Sequence, residues 1–484
     1  MFVSRALLAI GIYSWCEPLE LIGRWQKSAF LFTAFSLSIM RDYSFMGNGG
    51  LMIDTFTHSE LGNGLALLAV SAGARQRYIA SFALAGLVGF VNLFMGVWLA
   101  PLIMALVFRQ LRLGRVRWDT LAQRTWPGIV FGLAFLVPVL VNLSHNPDLG
   151  TSPAFDFRVF LSQFWPLHFF VQNQPRHEVV GILIVFATWV GFTILLPSEP
   201  RKVMFLLGTV VVLVWICGAI LPLVTASSLL LNLHVLRIST YFHLFAGLSA
   251  AAVLARWLTG REPADRLFWG PALLAASSIS IATAVLVAPL LVLRLLWSGP
   301  TGAFRIALRI ALLGLTTARL ALVSQENIHN DVQFSIKGAA WQDVARWANA
   351  HTSKNAIFLL PVETLYYMPM DNIGARYTGD LTSGNEIFEA ISHRRRWVSS
   401  KGGAAVMWTP SYYQEWRTRI RSVLTARTPG ERLDYARRNG ISFVVDNCVT
   451  IGNLRPVFRS GELCVFPAAP PKPLIDDPST PSRR

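Results

Sequence analysis

Charge is scarce in this chain. Only 14% of its 484 residues are Asp, Glu, Lys or Arg, against roughly 25% in an ordinary soluble domain, and that excludes a wholly water-soluble protein. Cysteine is scarcer, with four in all, too few for a disulfide-built scaffold. The common catalytic signatures are missing as well. There is no Walker loop and no GxSxG elbow, and His177-Glu178 opens an HExxH zinc motif whose second ligand is absent because position 181 is Gly. Gly47, Gly49 and Gly50 form a polar break between apolar segments rather than a dinucleotide fingerprint. An ATPase, a Rossmann enzyme and a zincin are therefore disfavoured.

Apolar residues fill the space that charge leaves. They make up 53% of the chain, with a mean hydropathy of +0.46, and about three-quarters of them, including every long apolar run, precede Ser324. Residues 1–324 carry 12 of the 27 acids and a net charge of +11, whereas residues 325–484 carry 15 acids and +5. Most of the basic excess sits in short clusters between apolar runs, where Lys and Arg orient membrane spans. Nucleic acid is for that reason not the expected partner.

A spanning helix needs about 20 mostly apolar residues. Clear candidates are 125–143, 179–197, 203–223, 240–258 and 303–323; weaker ones are 2–15, 28–45 and 61–74. Residues 2–15 lack a cleavage site and read as an uncleaved first span. Two longer runs, 78–108 and 267–297, contain Pro101 and Pro289, and each is either one kinked span or two short ones. The total is about ten. Arg75/Arg77, Arg109 to Arg117, Arg201/Lys202 and Arg256 to Arg266 should all face the cytoplasm, which requires 78–108 to enter and return. The aromatic-rich 144–178 loop then lies outside, where Phe155, Phe157, Phe160, Phe164, Trp165 and Phe169 suit a helix in the headgroup layer; a plain covering loop is the alternative.

Beyond 324 the texture is that of a small soluble α/β domain. Residues 339–350 repeat apolar positions at helical spacing and AIFLLPVE is a buried-strand run. Residues 428–440 form a helix opened by Thr428 and Pro429 and closed by Gly440. ISFVVDN, RPVFR and ELCVF follow as strands. The expected division is a transmembrane domain at 1–324, an α/β domain at 325–467 and a disordered proline-rich tail at 468–484. Cys16 and Cys217 read as buried packing residues. Cys448 and Cys464 flank the last two strands, where a disulfide forms if the tail lies in an oxidising compartment. Arg294, Arg305 and Arg309 around Gly299 argue for a cytoplasmic turn there and hence an outer tail.

Ionisable groups near hydrocarbon cost about 2.5 to 3.5 kcal/mol each at mid-bilayer and need a reason. In RDYSFMGNGGLMIDTFTHSELGNG, Asp42 and Asp54 offer a general base or a divalent-metal ligand, and His58 a donor to phosphate. The plain alternative is a solvated loop. In LNLHVLRISTYFH, His234, Arg237 and His243 stand at the outer entrance to a span, and Arg237 suits a phosphate or diphosphate headgroup; snorkelling to ordinary phospholipid is equally open. In the tail, Arg376 follows the first strand, and Arg394, Arg395, Arg396 and Lys401 form a second basic group that reads as a solvated face.

The order of TFTHSELGNGLALLAV, LHVLRISTYFHLFAGL, WQDVARWANAHTSKNAIFLLPVE, GAR and RRRWVSSKGG…EWRTR resembles a family of bacterial polytopic membrane proteins of unknown function. More distantly, the layout is similar to the type C glycosyltransferases. That resemblance implies a multi-span bundle ahead of a hydrophilic domain, residence in a bacterial inner membrane with the C-terminal domain periplasmic, and a polyprenyl-phosphate-linked sugar as partner. It also implies an acidic catalytic residue in the first outer loop, a place that only Asp42 and Asp54 can fill here. The expectation is glycosyl transfer at the outer face, with Arg237, His58, His234 and Arg376 toward the lipid phosphate. The alternative is a non-enzymatic transporter or envelope-assembly protein.

Overall fold

In a computed structural model the residues described are 2–53, 57–297, 300, 302–362, 381, 384–448 and 455–468. They fall into two compact units, Met1–Asn146 with Phe155–Asn327, and Pro147–Ala154 with Ile328–Arg484. The first is a helical membrane bundle and the second a small α/β domain.

The bundle opens with α1 (Phe2–Tyr13), α2 (Arg24–Ser36), α3 (His58–Ala74), α4 (Tyr78–Val91), α5 (Leu93–Arg112) and α6 (Trp118–Ser144). Two short helices follow, α7 (Phe157–Phe164) and α8 (Pro166–Phe169), then α9 (Arg176–Ile194), α10 (Ser198–Val224), α11 (Ser228–Leu231) and α12 (Ser239–Thr259). It closes with α13 (Gly270–Ile279), α14 (Ile281–Ala284), α15 (Val287–Leu296) and the start of α16 (Gly302–His351). Among the described residues, six helical stretches are long and apolar enough to cross a bilayer: α5, α6, α9, α10, Ser228–Thr259 and Gly302–Glu326. Shorter apolar helices complete the bundle. At its centre lies α12, buried without a break from Ser239 to Ala255.

Both long apolar runs turn back on themselves, yet neither does so at its proline. Residues 78–108 break at Asn92, whose backbone is extended (φ −152°) and whose Oδ1 accepts the Met95 N–H at 3.3 Å to cap α5. Pro101 stays inside α5. A Cβ on Gly96 would lie 2.7 Å from Gly89 Cα, so only glycine lets α4 and α5 close backbone to backbone. Residues 267–297 break at Ser280 (φ −159°), which forms a capping box with Thr283. Arg294 returns to grip Asp265 with two bonds of 2.8 Å, so this stretch is a helical hairpin.

Three further expectations are corrected. The helix over 339–350 is the end of α16, continuous with the last span; the linking SQENIHNDVQFSIKG has no proline, and a lone glycine costs only about 1 kcal/mol. The aromatic loop turns inward: Phe157, Phe160, Phe164 and Phe169 are buried, with Phe160 packed at tilted and edge-on angles among Phe155, Phe157, Phe164 and Trp165 at centroid distances of 5.2 to 5.8 Å. Aromatic pairs in such tilted and edge-on arrangements gain about 0.5 to 1.5 kcal/mol beyond their area burial, which favours this cluster. Cys16 is buried as expected, but Cys217 faces outward from α10.

In the second unit, β1 (Ile357–Leu359), β2 (Arg395–Arg396), β3 (Phe443–Asn447), β4 (Phe458–Ser460) and β5 (Leu463–Pro467) form one sheet in the order β2-β1-β3-β5-β4. β1 runs parallel to β2 and β3, and β5 antiparallel to β3 and β4. Trp341, Val344 and Ala348 of α16 pack against Phe358, Phe388, Val445 and Val465. The other helices are α17 (Phe388–Ser392), α18 (Tyr413–Thr425) and α19 (Pro429–Arg438). Thr428 and Glu431 close a capping box on α19. Cys448 and Cys464 are joined in a disulfide, Cα to Cα 4.9 Å. Arg394 is not part of a solvated face: it is buried and donates to the carbonyls of Asn349, Thr352 and Ser392 at 2.7 to 3.0 Å. The 147–154 loop joins this unit through Asp148, which accepts both the N–H and the hydroxyl of Ser411.

Candidate functional site

The segment from Leu37 to Ile53 is polar and glycine-rich, and it folds back on itself inside the bundle. Tyr43 bridges Gly50, and Asp42, Met46 and Asn48 all adopt left-handed backbone (φ 61°, 53° and 52°). Such conformations are unfavourable for non-glycine residues and persist only where the surroundings hold them. Here the surroundings are a set of side chains from distant helices. The Phe45 N–H donates to His243 Nε2 at 3.1 Å, and the Met46 N–H to Glu178 Oε2 at 2.7 Å. Trp215 Nε1 donates to the Met46 carbonyl at 3.3 Å, and Asn63 Nδ2 to that of Gly50 at 2.9 Å. Gly181, where a zincin would place its second histidine, lies directly under the Phe45 ring.

Above this loop the chain enters α12 through LHVLRIST. His234 takes a left-handed turn (φ 49°) into a 3-10 turn at Val235–Ile238, which carries Arg237. Arg237 donates from one terminal nitrogen to the Asn48 carbonyl at 3.3 Å. Its Nε is buried without a partner, and among the described residues no carboxylate lies within 4.0 Å of it. A cation taken from water without an acidic partner is costly, so the arrangement calls for an anion.

Histidines surround that guanidinium. His168, on α8, donates from Nδ1 to the Gly47 carbonyl at 3.2 Å. Burial, reinforced by the nearby Arg237 charge, holds its pKa down to about 3 against the opposing pull of the Gly47 bond. It is therefore neutral at physiological pH, with Nε2 left as an acceptor. The His234 ring lies 4.7 Å from Phe94 and 4.5 Å from Phe169, with its Nδ1 buried and unpartnered. His58 is the first residue of α3, capped by Thr57, and its charge interacts with that of Arg237. His243, by contrast, is a clamp rather than a ligand: its Nε2 accepts from Phe45, so its Nδ1 carries the proton and donates to the Ile39 carbonyl at 2.9 Å.

The structure thus brings Arg237, His234 and His58 together and adds His168, which the sequence shows only as a lone histidine in an aromatic run. Glu178 also proves to be a loop anchor, with no sign of that role in its spacing. Asp42 is exposed, its backbone paired with Met52 and Leu51. Asp54 and Arg376 lie outside the described residues. Among the described residues no three His, Cys, Asp or Glu side chains are gathered to hold a metal ion.

No protein family model matches the chain, and no curated protein does. Among solved structures, that of ArnT from Cupriavidus metallidurans bound to undecaprenyl phosphate is similar over 97% of this chain and 83% of its own, at 11% identity and a TM-score of 0.41. The class assigned here, a multi-pass helical membrane protein with a small C-terminal α/β domain, rests on the helices and sheet described above.

Proposed function

We propose that the protein is a type C-like glycosyltransferase that uses a polyprenyl-phosphate-linked sugar at the outer face of a bacterial inner membrane. The observation that carries this reading is Arg237, a guanidinium with unfilled donors and no acidic partner among the described residues, framed by neutral imidazole and aromatic rings. Charge-assisted N–H···O bonds from such a group suit a phosphate oxygen. His58 and His234 add donors once the anion is present. Asp42 or Asp54 serves as base or divalent-metal ligand for the transfer, and Arg376 is an anion-binding residue of the second unit.

Helix parity supports an outer location. The basic clusters at 75–77, 109–117, 201–202 and 256–266 sit at one end of the bundle, as the positive-inside rule requires of a cytoplasmic face. The loop at 37–53 and Arg237 sit at the other. The hairpin of α13 to α15 starts and ends at the basic end, so α16 crosses once more and its continuation emerges outside. The test is turnover of a polyprenyl-phosphate sugar by the purified full chain. Arg237→Gln is expected to lower kcat/KM by roughly a hundredfold, and Asp42→Asn or Asp54→Asn to abolish turnover. A wild-type chain that binds such lipids but transfers nothing would leave the transporter or assembly reading in its place.

A further inference from the structure

Three consecutive carbonyls of the 37–53 loop are each taken by a side chain from elsewhere in the bundle. Trp215 Nε1 donates to that of Met46 at 3.3 Å, His168 Nδ1 to that of Gly47 at 3.2 Å, and Arg237 to that of Asn48 at 3.3 Å. Gly47 and Asn48 are neighbours in the chain, about 3.8 Å apart at Cα, so their shared backbone holds the His168 imidazole and the Arg237 guanidinium side by side. The His234 ring completes the group, its centroid 6.3 Å from that of His168. Burial, and then the nearby Arg237 charge, keeps His168 unprotonated.

The two neighbours offer opposite chemistry. Arg237 can only donate, and its Nε is buried without an acceptor. His168 is fixed the other way. Its one proton, on Nδ1, is engaged by Gly47, so Nε2 carries a lone pair; among the described residues that nitrogen has no partner, and it is not enclosed. A ligand filling this corner must present an anionic oxygen to Arg237 and an O–H or N–H group to His168. A polyprenyl phosphate joined to a sugar is a phosphodiester: it carries one negative charge, matching the single guanidinium, and has no phosphate proton to donate. Its nearest donor is the substituent on sugar carbon 2, beside the carbon that bears the phosphate. We infer that His168 is a specificity-determining residue whose Nε2 accepts a hydrogen bond from the carbon-2 hydroxyl or amide N–H, so that the site selects sugars carrying a donor there. The inference rests on the lipid-linked sugar reading of Arg237. A site built to pair with a donor rejects an analogue that lacks it, because the acceptor is left unpaired once the ligand covers it.

Binding of synthetic lipids to the purified full chain in detergent tests it, with farnesyl phosphate, farnesyl phosphoglucose and its 2-deoxyglucose counterpart as probes in isothermal titration calorimetry. The wild type should bind farnesyl phosphoglucose about tenfold more tightly than the 2-deoxy lipid. His168→Asn keeps a donor for the Gly47 carbonyl but is too short to put an acceptor where Nε2 stands, and should bind the two sugar lipids within about twofold of each other. His168→Gln, which reaches that far with an amide carbonyl, should restore part of the preference. Each result is a ratio of two ligands on one protein, so a smaller folded fraction affects both alike. Arg237→Gln should weaken all three lipids, the sugarless one included. Equal wild-type affinity for the two sugar lipids, with farnesyl phosphate still bound through Arg237, overturns the inference and leaves the lipid-phosphate reading standing. A tenfold preference that survives in His168→Asn overturns it as well, since another group then reads carbon 2. A wild type that binds none of the three overturns both.

Discussion

His243, at the start of the buried α12, accepts the backbone N–H of Phe45 at 3.1 Å while donating to the carbonyl of Ile39 at 2.9 Å. One imidazole thereby satisfies a buried donor and a buried acceptor of the same loop, and the two bonds together dictate its tautomer. His243→Phe fills the volume but orphans both backbone groups, at about 1 to 3 kcal/mol each. Thermal unfolding in detergent should show a large loss. Because Arg237 bonds to Asn48 of that loop, lipid-phosphate affinity should fall with it.

Acid should weaken the site through His168. Its folded pKa lies near 3 and its unfolded value is 6.5. Between those values the unfolded chain binds more protons than the folded one, so stability rises with pH through that window and falls as pH drops below about 6.5. His168→Asn keeps a donor for the Gly47 carbonyl and cannot titrate. Comparing melting temperatures of the two chains from pH 7 down to about pH 4 should show the variant losing less, by roughly 2 to 4 kcal/mol at the acid end. Parallel curves would mean that His168 is solvated.

Much of the fold could be read in advance, and the exceptions share a cause. Residues 125–143 fall inside α6, Thr428 opens α19 in a capping box, and the last three strands lie where alternation and turn residues put them. Each of these depends on local periodicity or capping chemistry. The breaks at Asn92 and Ser280 were hidden behind Pro101 and Pro289, because a proline costs an interior helix one hydrogen bond while an N-cap residue starts a new helix. The candidate site was half legible. Arg237 and His234 stand out as polar groups at a span entrance, whereas the roles of His168, Glu178 and His243 depend on bonds to residues 121, 132 and 198 positions away. Nothing in local spacing reports such pairings, and Arg394 escaped notice for the same reason.

Arg432 and Asp446 provide a sharp test of the second unit. Their side chains are 7% and 1% exposed and joined at 2.5 Å, and Arg432 also donates to the carbonyls of Ala426 and Arg427. The pair fixes α19 to β3. Asp446→Asn leaves a buried guanidinium without its counter-charge and should cost about 3 to 5 kcal/mol, seen as faster proteolysis within 328–468 of the full chain. Asp434→Asn, which removes the solvent-exposed partner of Arg437, should change the rate little, since exposed pairs contribute about 0 to 1 kcal/mol.

The Cys448–Cys464 disulfide closes a loop across 16 positions and joins the ends of β3 and β5, so its loss through Cys464→Ala should cost roughly 3 kcal/mol. The same bond reports which side of the membrane the second unit occupies. On intact cells, a membrane-impermeant maleimide should leave this pair unlabelled until an impermeant reductant is added from outside, then modify both cysteines. Cys16, buried in the bundle, should stay unmodified throughout and serves as the internal control. Labelling of Cys448 and Cys464 without any reductant would disprove the bond. Labelling that requires cell lysis would place the second unit in the cytoplasm, reverse the parity of α13 to α16, and remove the outer-face glycosyl transfer proposed for Arg237.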